Sequence, residues 1–215
     1  MRKHILGFTA FVLLLVGGGL WYMSRPDEAR VSIEKLTGPK PEITEPREQR
    51  IPTVSIAEVD RWKAGEAPTG ADGLVVERFA ENLEHPRNMY VLPNGDVLVA
   101  ETNAPPGRME GIEGWIAEWL FTKAGAGVPS ANRITLLRDA DGDGKPELRS
   151  KFLEGLNSPF GMVLVGDILY VANTDAVLAF PYKDGDTEIT AKGNKILALN
   201  AQAPNNHWTR NLVAS

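Results

Sequence analysis

The chain has 215 residues, a net charge of −5 and no cysteine. An acidic balance argues against nucleic acid as a partner, because binding to phosphates requires a basic surface. The lack of cysteine excludes disulfides, thiol catalysis and zinc-thiolate sites.

The N-terminus is basic and then strongly apolar. Arg2 and Lys3 precede an uncharged stretch at residues 5–23, which as a helix would extend about 28 Å, close to the roughly 30 Å of a bilayer core. A positive flank keeps that end in the cytoplasm. We therefore predict a signal anchor at residues 1–23, a transmembrane helix of the inner membrane that places the remainder in the periplasm. Cleavage of the anchor would release the remainder there.

Residues 24–73 differ in composition from the rest of the chain. Six of the chain's 15 prolines lie in this segment, mixed with charged residues. Such a composition is typical of a linker with short extended pieces. We predict a proline-rich tether at 24–73, followed by a globular part at 74–215.

One short pattern of a strand, a tight turn and a second strand occurs twice and begins a third time. The copies are HPRNMYVLPNGDVLVAET at 85–102, SPFGMVLVGDILYVANT at 158–174 and HWTRNLVAS at 207–215. Met89 and Met162 lie 73 residues apart, whereas Asp96 and Asp167 lie 71 apart, so the second turn is predicted to be two residues shorter. Repetition of this kind predicts a β-propeller, in which a four-stranded blade takes about 40–50 residues.

The repeats account for only part of a propeller. Residues 74–215 hold two blades and the start of a third, whereas a closed ring has about four to eight. We expect the chain to be the N-terminal part of a longer all-β protein and to be inactive on its own. An independent domain is the alternative that this length permits.

An insertion at 103–129 interrupts the first blade. Its apolar residues recur with the period of a helix, at Ile112, Trp115, Ile116, Trp119 and Leu120. We predict an amphipathic helix whose apolar stripe packs across the face of the propeller. A membrane-surface or partner-docking role is the alternative, and the acidic polar face weakens the membrane version.

An acidic turn follows the insertion. Asp139, Asp141 and Asp143 alternate ahead of Gly144, a spacing of oxygen ligands that calcium loops use. The twelfth position would be Ser150 instead of glutamate, so the match to an EF-hand fails, and Glu147 could substitute only in a different geometry. Two interpretations stay open: a structural calcium site, or a hairpin tip whose aspartates accept hydrogen bonds from backbone N–H groups.

The third copy opens with a histidine. His207 lies in the run PNNHWTR, directly before a predicted inner strand, and the loops that enter the inner strands of a propeller meet at its central channel. A histidine there can accept a proton from a substrate hydroxyl, because its pKa lies near neutrality. By position alone, most such histidines are ordinary loop residues.

Several of these segments together resemble a known family. The runs LEHPRNMYVLPNGDVLVAETN, AGAGVPSANRITLLRDADGDGK, LNSPFGM and NNHWTRNLVAS are similar to the N-terminal half of L-sorbosone dehydrogenase type proteins, which belong with the soluble quinoprotein sugar dehydrogenases. The resemblance covers roughly residues 74–215. It implies a six-bladed propeller that binds pyrroloquinoline quinone (PQQ) with calcium over the channel. It also implies oxidation of a sugar or sugar aldehyde, with electrons passing to an acceptor of the respiratory chain.

The resemblance also suggests roles for individual residues. It implies that His207 is the catalytic base and that Asn206 and Asn157 bind substrate, with the cofactor ligands expected beyond residue 215. Asn206 stands where the soluble glucose dehydrogenases have an aspartate, and Leu156 where they have a glutamine. These departures put glucose itself in doubt as the substrate.

Two other classes of function stay open. A calcium-dependent lactone hydrolase would use channel residues such as Glu101, Asn157 and Asn206 to hold a metal that activates water. A non-catalytic periplasmic binding propeller would need no base at all, and His207 would then be incidental.

Overall fold

We describe the structure from a computed structural model of the chain, which covers residues 2–25, 31–43, 56, 59, 62–63, 65–105, 111–202 and 205–214, with side chains from residue 7 onward. The chain divides into two compact units, Met1–Ala57 and Glu58–Ser215. Much of the predicted tether at 24–73 lies outside the described residues, so its boundaries stay a prediction.

The first unit contains two helices, α1 at Arg2–Met23 and α2 at Ile33–Leu36. Large apolar side chains of α1, among them Phe8, Leu14 and Trp21, are exposed. The prediction of a transmembrane helix at this segment is not supported. Within the part of the chain that the structure describes, no helix combines the length and the apolarity needed to cross a membrane.

The second unit is built from two four-stranded sheets. The first contains β1 (Pro86–Val91), β2 (Val97–Glu101), β3 (Arg133–Arg138) and β4 (Leu148–Leu153). The second contains β5 (Met162–Val165), β6 (Ile168–Ala172), β7 (Ala176–Pro181) and β8 (Asn194–Ala198). Each strand pairs antiparallel with the next in sequence. This meander is the unit of a propeller blade, so the all-β prediction with two blades is confirmed, whereas a six-bladed ring stays a prediction.

Both sheets contribute to one hydrophobic core. Leu98, Ile134 and Phe152 of the first sheet belong to the same buried cluster as Val171 and Phe180 of the second. All five side chains are almost fully buried. Burial of apolar area is the main favourable term in folding, so the two sheets stabilise each other.

The hairpin predicted at Asn94-Gly95 is confirmed. Gly95 has a φ of 93°, and the N–H of Leu92 donates to the carbonyl of Asp96 at 2.8 Å. The strand register corrects the predicted turn lengths, because Met89 pairs with Val99 and Met162 with Val171. Val99 and Val171 are 72 residues apart, so the second turn is one residue shorter than the first, not two.

Asp96 and Asp167 are not equivalent, contrary to the predicted alignment. Asp96 is buried, and Arg138 donates to its two carboxylate oxygens at 2.7 Å each. Asp167 is exposed in the tight turn between β5 and β6. A buried carboxylate requires such pairing because its desolvation is costly.

Antiparallel order gives the two sheets two distinct ends. At one end, called here the entry end, lie residues 83–85, 102–105, 111–132, 154–161, 173–175, 199–202 and 205–209, where β1 and β5 begin. The opposite end carries the β1–β2 turn, the acidic turn at 139–147 and residues 182–193. His207, Asn206 and Asn157 all belong to the entry end.

The three copies of the repeated pattern contact one another directly. Asn88 of the first copy donates from Nδ2 to the carbonyl of Phe160 at 2.9 Å. The N–H of Gly161 in the second copy donates to the carbonyl of Arg210 in the third, also at 2.9 Å. The third copy forms no strand within the described residues 205–214, where its contact with the second copy supplies only one backbone hydrogen bond.

The predicted insertion helix is confirmed as α3, Gly111–Lys123, but the predicted packing of its apolar stripe is wrong. Ile112 is 79% exposed and Trp115 is 70% exposed. The opposite face of the helix, with Gly114, Ala117 and Phe121, lines a cleft of about 480 Å³ against the loops on either side of it. Because this face is turned toward the protein, the tryptophan stripe faces solvent.

We predict that Gly161→Ala destabilises the second unit. A Cβ at this position would lie 2.7–2.8 Å from the Leu212 nitrogen, the Arg210 carbonyl oxygen and the Asn211 Cα. These are backbone atoms that cannot rotate away, so we expect a loss of about 1–3 kcal/mol and a fall in Tm measured by tryptophan fluorescence. Gly17→Ala, where an added Cβ meets nothing within 4 Å, is the control. Equal melting of wild type and Gly161→Ala would contradict the close approach.

Candidate functional site

The loop at residues 205–208, where the third copy begins, presents two exposed polar side chains between two buried ones. Asn205 is 8% exposed and Trp208 is 5% exposed, whereas Asn206 and His207 between them are exposed. Asn205 donates from Nδ2 to the hydroxyl of Thr174 at 3.1 Å. The buried residues fix the loop on the second sheet and leave the predicted base and its neighbour accessible.

Arg210 fixes the backbone of the same loop. Its guanidinium donates from Nη1 to the carbonyl of His207 and from Nη2 to the carbonyl of Asn200, the latter at 3.0 Å. A guanidinium holds several acceptors in one plane, so the main chain at His207 is held in place. Among the described residues, no hydrogen bond to the imidazole of His207 is found.

Thr174 brings the predicted substrate-binding loops together. Its N–H donates to the carbonyl of Asn157 at 3.0 Å, and its hydroxyl accepts from Asn205. Asn157 is exposed. The structure thus joins the loop of Asn157 to the loop of Asn206 and His207 through one buried residue, Thr174, by its backbone N–H on one side and its hydroxyl on the other, while the roles of these three residues stay predictions.

Three non-glycine residues at the entry end have a left-handed backbone. The φ values are 55° at His85, 52° at Asn132 and 44° at Ser158. The N–H of Ser158 donates to Oδ1 of Asn132 at 2.9 Å, so two of these residues hold each other. Such conformations cost about 1–3 kcal/mol each and cluster at functional sites. The sequence gives little sign of them, since only asparagine commonly adopts this region.

A buried carboxylate lies at the end of β2. Glu101 is fully buried; Arg133 donates to its Oε2 at 2.5 Å and Thr135 to its Oε1 at 2.6 Å. The backbone N–H of Glu84 also donates to Oε2, at 2.6 Å. Glu101 is fully buried and its charge is paired with Arg133, an environment that therefore does not suit the accessible metal ligand that the lactone-hydrolase alternative requires.

The same contacts set the charge state of Glu101. Burial alone would raise the pKa of its carboxyl. The hydrogen bonds from Thr135, from the Glu84 N–H and from Arg133, together with the charge of Arg133, outweigh burial and hold that pKa below its ordinary value. Glu101 is therefore an ionised structural residue.

The acidic turn has the geometry of an oxygen-rich cation site. Ligand atoms of Asp139, Asp141, Asp143 and Glu147 all lie within 4.8 Å of one another. Calcium takes oxygen ligands at about 2.3–2.6 Å, so two ligands on opposite sides of the ion are roughly 5 Å apart. The four carboxylates therefore fit a calcium ion, and Glu147 is a member that the sequence pattern did not assign.

The hairpin-tip interpretation of the turn is confirmed by its hydrogen bonds. Asp139 accepts from the N–H groups of Gly142 and Gly144, each at 2.8 Å, and Asp143 accepts from Lys145 at 2.8 Å. Carboxylate oxygens have further lone pairs, so these bonds leave room for a cation and calcium binding stays a prediction. Ser150 does not take part, because its hydroxyl donates to the carbonyl of Thr187 at 2.6 Å.

The acidic turn joins β3 to β4 at the end opposite to the entry end. A calcium ion bound there would lie across the length of the sheet from the loop of His207. Its role would be structural, as the sequence analysis predicts.

These observations define a protein of four-stranded antiparallel sheets arranged as in propeller blades. The chain belongs to the family described as Domain of unknown function (DUF7133), whose sequence profile matches residues 70–212. Comparison with curated proteins finds no match.

Solved structures with similarity include two of a Trichoderma reesei carbohydrate-active enzyme of family AA12. Its iodide structure is 17% identical over 69% of this chain and 31% of that chain, with a TM-score of 0.48. Its calcium structure is 17% identical over 68% and 30%, with a TM-score of 0.46.

A third similar structure is the holo form of the PQQ domain of pyranose dehydrogenase from Coprinopsis cinerea, 14% identical over 62% of this chain and 25% of that chain, with a TM-score of 0.42. The chain thus spans a third or less of the length of these structures. At such identities and scores the likeness carries no argument about activity or ligands.

We predict that the stability contributed by Glu101 is lost in acid. A carboxyl with a lowered folded pKa contributes stability above its unfolded pKa, about 4.3, and loses that contribution as the pH falls through the folded value. Glu101→Gln should cost about 3–5 kcal/mol near neutrality, because Arg133 loses its buried carboxylate partner and keeps only the exposed Glu84 at 3.2 Å. Denaturant unfolding should show this difference shrinking below about pH 4. A difference that is constant with pH would contradict an ionised Glu101.

We predict that calcium stabilises the acidic turn. Binding to the folded state alone adds about 2.7 kcal/mol at a concentration one hundred times the dissociation constant. Calorimetry should therefore show a Tm that rises with calcium. The double variant Asp141→Asn/Asp143→Asn should melt independently of calcium. A calcium response unchanged in that variant would place the ion elsewhere.

Proposed function

We propose that the protein oxidises a hydroxyl or aldehyde group of a sugar. The sequence resemblance to quinoprotein sugar dehydrogenases supplies the reaction. One observation carries the proposal: Asn206 and His207 are exposed side by side on a loop held by the buried Asn205 and Trp208. A loop held this firmly presents its polar side chains in a fixed position, which positioning of a substrate requires.

The proposed roles follow from the chemistry of the side chains. The imidazole of His207 accepts the proton of a substrate hydroxyl through the lone pair that a neutral imidazole carries on one ring nitrogen. The carboxamides of Asn206 and Asn157 both donate and accept hydrogen bonds, which suits the hydroxyls of a sugar or of an aldehyde hydrate. The acceptor of the electrons proposed from the resemblance is PQQ with calcium.

The described residues do not by themselves hold such a cofactor. PQQ carries several carboxylates, which call for cationic donors. At the entry end, the guanidinium of Arg210 is committed to backbone carbonyls and that of Arg133 to Glu101. Arg87 stacks on the ring of Trp208 and Lys123 on the ring of Trp119, and neither has a carboxylate partner among the described residues. We therefore derive no step through the cofactor.

The location of the protein and its electron acceptor are further points on which the sequence, not the structure, supports a proposal. A periplasmic location and an electron acceptor of the respiratory chain are proposals from the sequence. Of the alternative functions, calcium-dependent lactone hydrolysis loses support for one proposed ligand, because Glu101 is fully buried and ion-paired with Arg133. A non-catalytic binding propeller makes no use of a fixed, exposed histidine.

The test uses the longer protein that the sequence leads us to expect, supplied with PQQ and calcium. We expect it to reduce an artificial dye with aldose or aldehyde substrates. His207→Ala should lower kcat by about 10²–10⁴, the usual contribution of a general base. Asn211→Ala, an exposed residue of the same copy, is the matched control and should keep its activity. Undiminished dye reduction by the His207→Ala protein would contradict the assignment of His207 as the general base.

The alternatives give different results in the same assays. Lactone hydrolysis that is lost with a chelator, without any quinone-dependent dye reduction, would favour the hydrolase. Sugar binding without turnover of either kind would favour the binding protein.

A further inference from the structure

A second histidine at the entry end has a defined imidazole. His85 lies in the loop before β1. Its Nδ1 is 2.9 Å from the carbonyl oxygen of Thr102, and its own carbonyl accepts from the N–H of Thr102 at 3.2 Å. The side chain and the backbone of His85 are thus both bonded to the residue that follows β2.

The bond to Thr102 settles which ring nitrogen carries the hydrogen. A carbonyl oxygen only accepts, so the hydrogen must lie on Nδ1, and the neutral ring then has a free lone pair on Nε2. Nε2 has no partner among the described residues and is not one of the buried unpartnered atoms found there. An Nδ1–H bond to a carbonyl is a common way of orienting a functional histidine.

The backbone of His85 is held in an unfavourable conformation. Its φ of 55° lies in the left-handed region, which is uncommon for residues other than glycine although histidine adopts it more often than most, and the following Pro86 further restricts it. Glu84, the residue before His85, is anchored because its N–H donates to the buried Glu101. Strain that is maintained by surrounding bonds is typical of functional positions.

The loop of His85 adjoins the loop of His207. Arg87, two residues after His85, lies over the ring of Trp208, with its guanidinium carbon 5.4 Å from the ring centroid. Trp208 is the residue directly after His207. The two histidines therefore belong to neighbouring segments at the same end of the sheets.

We infer that Nε2 of His85 accepts a hydrogen bond from a hydroxyl of the substrate. The inference rests on the proposed function, in which the substrate is a sugar with several hydroxyls. His85 and His207 then engage different hydroxyls: His207 accepts the proton at the reacting group, and His85 recognises a second one. His85 would thus determine which sugars are accepted.

The test separates recognition from a purely structural role by replacing His85 with asparagine. The amide nitrogen of asparagine takes the place of Nδ1 and keeps the bond to Thr102, asparagine tolerates a left-handed backbone, and Nε2 is lost. His85→Asn should melt no lower than the wild type, whereas His85→Ala should melt lower. If the role of His85 is only structural, His85→Asn will leave both the Tm and kcat/KM unchanged.

The kinetic arm uses a substrate sugar and its set of monodeoxy analogues with the longer, cofactor-loaded protein. We expect His85→Asn to lower kcat/KM about 10–100-fold for the parent sugar, the effect of one missing hydrogen-bond partner. One analogue should show no further loss in the variant, because the hydroxyl it lacks is the one His85 binds. The inference would be overturned if the variant lowered kcat/KM by the same factor for every analogue as for the parent sugar, or if its kcat/KM for the parent sugar were unchanged.

A binding arm works without turnover. Nitrogen NMR of the imidazoles, simplified by the presence of only three histidines, should show His85 with hydrogen on Nδ1 and a shift of its Nε2 signal when the parent sugar is added. Hydrogen on Nε2, or no shift at saturating sugar, would overturn the inference. Loss of dye reduction by the wild type, with the Nε2 shift intact, would instead count against the proposed oxidation.

Discussion

The direct contact between the three copies of the repeated pattern is the constraint on which the site depends. Asn88 reaches the carbonyl of Phe160, and the N–H of Gly161 reaches the carbonyl of Arg210. The backbone at 210–212 comes so close to Gly161 that a side chain there has no space. Because each copy is preceded by a loop at the entry end, contact between the copies also assembles those loops.

The two sheets use the same architecture but different electrostatics. The register that aligns Val99 with Val171 also aligns Glu101 with Asn173, and Arg133 with Ala176. The first sheet thus buries an ion pair where the second has a neutral amide and a methyl group. In the second sheet Oδ1 of Asn173 is buried without a hydrogen-bond partner among the described residues. Because the second sheet lacks both the carboxylate and the arginine, it contains no unpaired buried ion at this position, and an unpaired buried ion would be costly.

Much of this architecture could be predicted from the sequence, because the relevant signals are local. Alternating apolar residues around Asn94-Gly95 predict a hairpin, and a period of 3.6 residues predicts α3. The direction of the Trp115 stripe could not be predicted, because periodicity shows that a helix has an apolar face but not what lies opposite. The apolar N-terminal segment likewise gave a helix, while the further prediction that it spans a membrane was not supported.

The candidate site was predictable only in part, for a similar reason. His207 could be found from its position before a repeated strand. The role of His85 depends on a carbonyl 17 residues away and on a left-handed backbone conformation, and the residue type alone does not predict either. Glu147 joins the acidic cluster only because the turn folds back on itself, which spacing along the chain does not reveal.

Amide hydrogen exchange at Gly161 tests the contact between the copies most directly. Its N–H donates to Arg210, while the N–H of Ala172 in β6 donates to the carbonyl of Gly161 within the sheet. We expect both amides to exchange slowly, because both are held in backbone hydrogen bonds. Rapid exchange at Gly161 beside slow exchange at Ala172 would show that the third copy is not docked on the second, and would contradict the assembly of the entry-end loops.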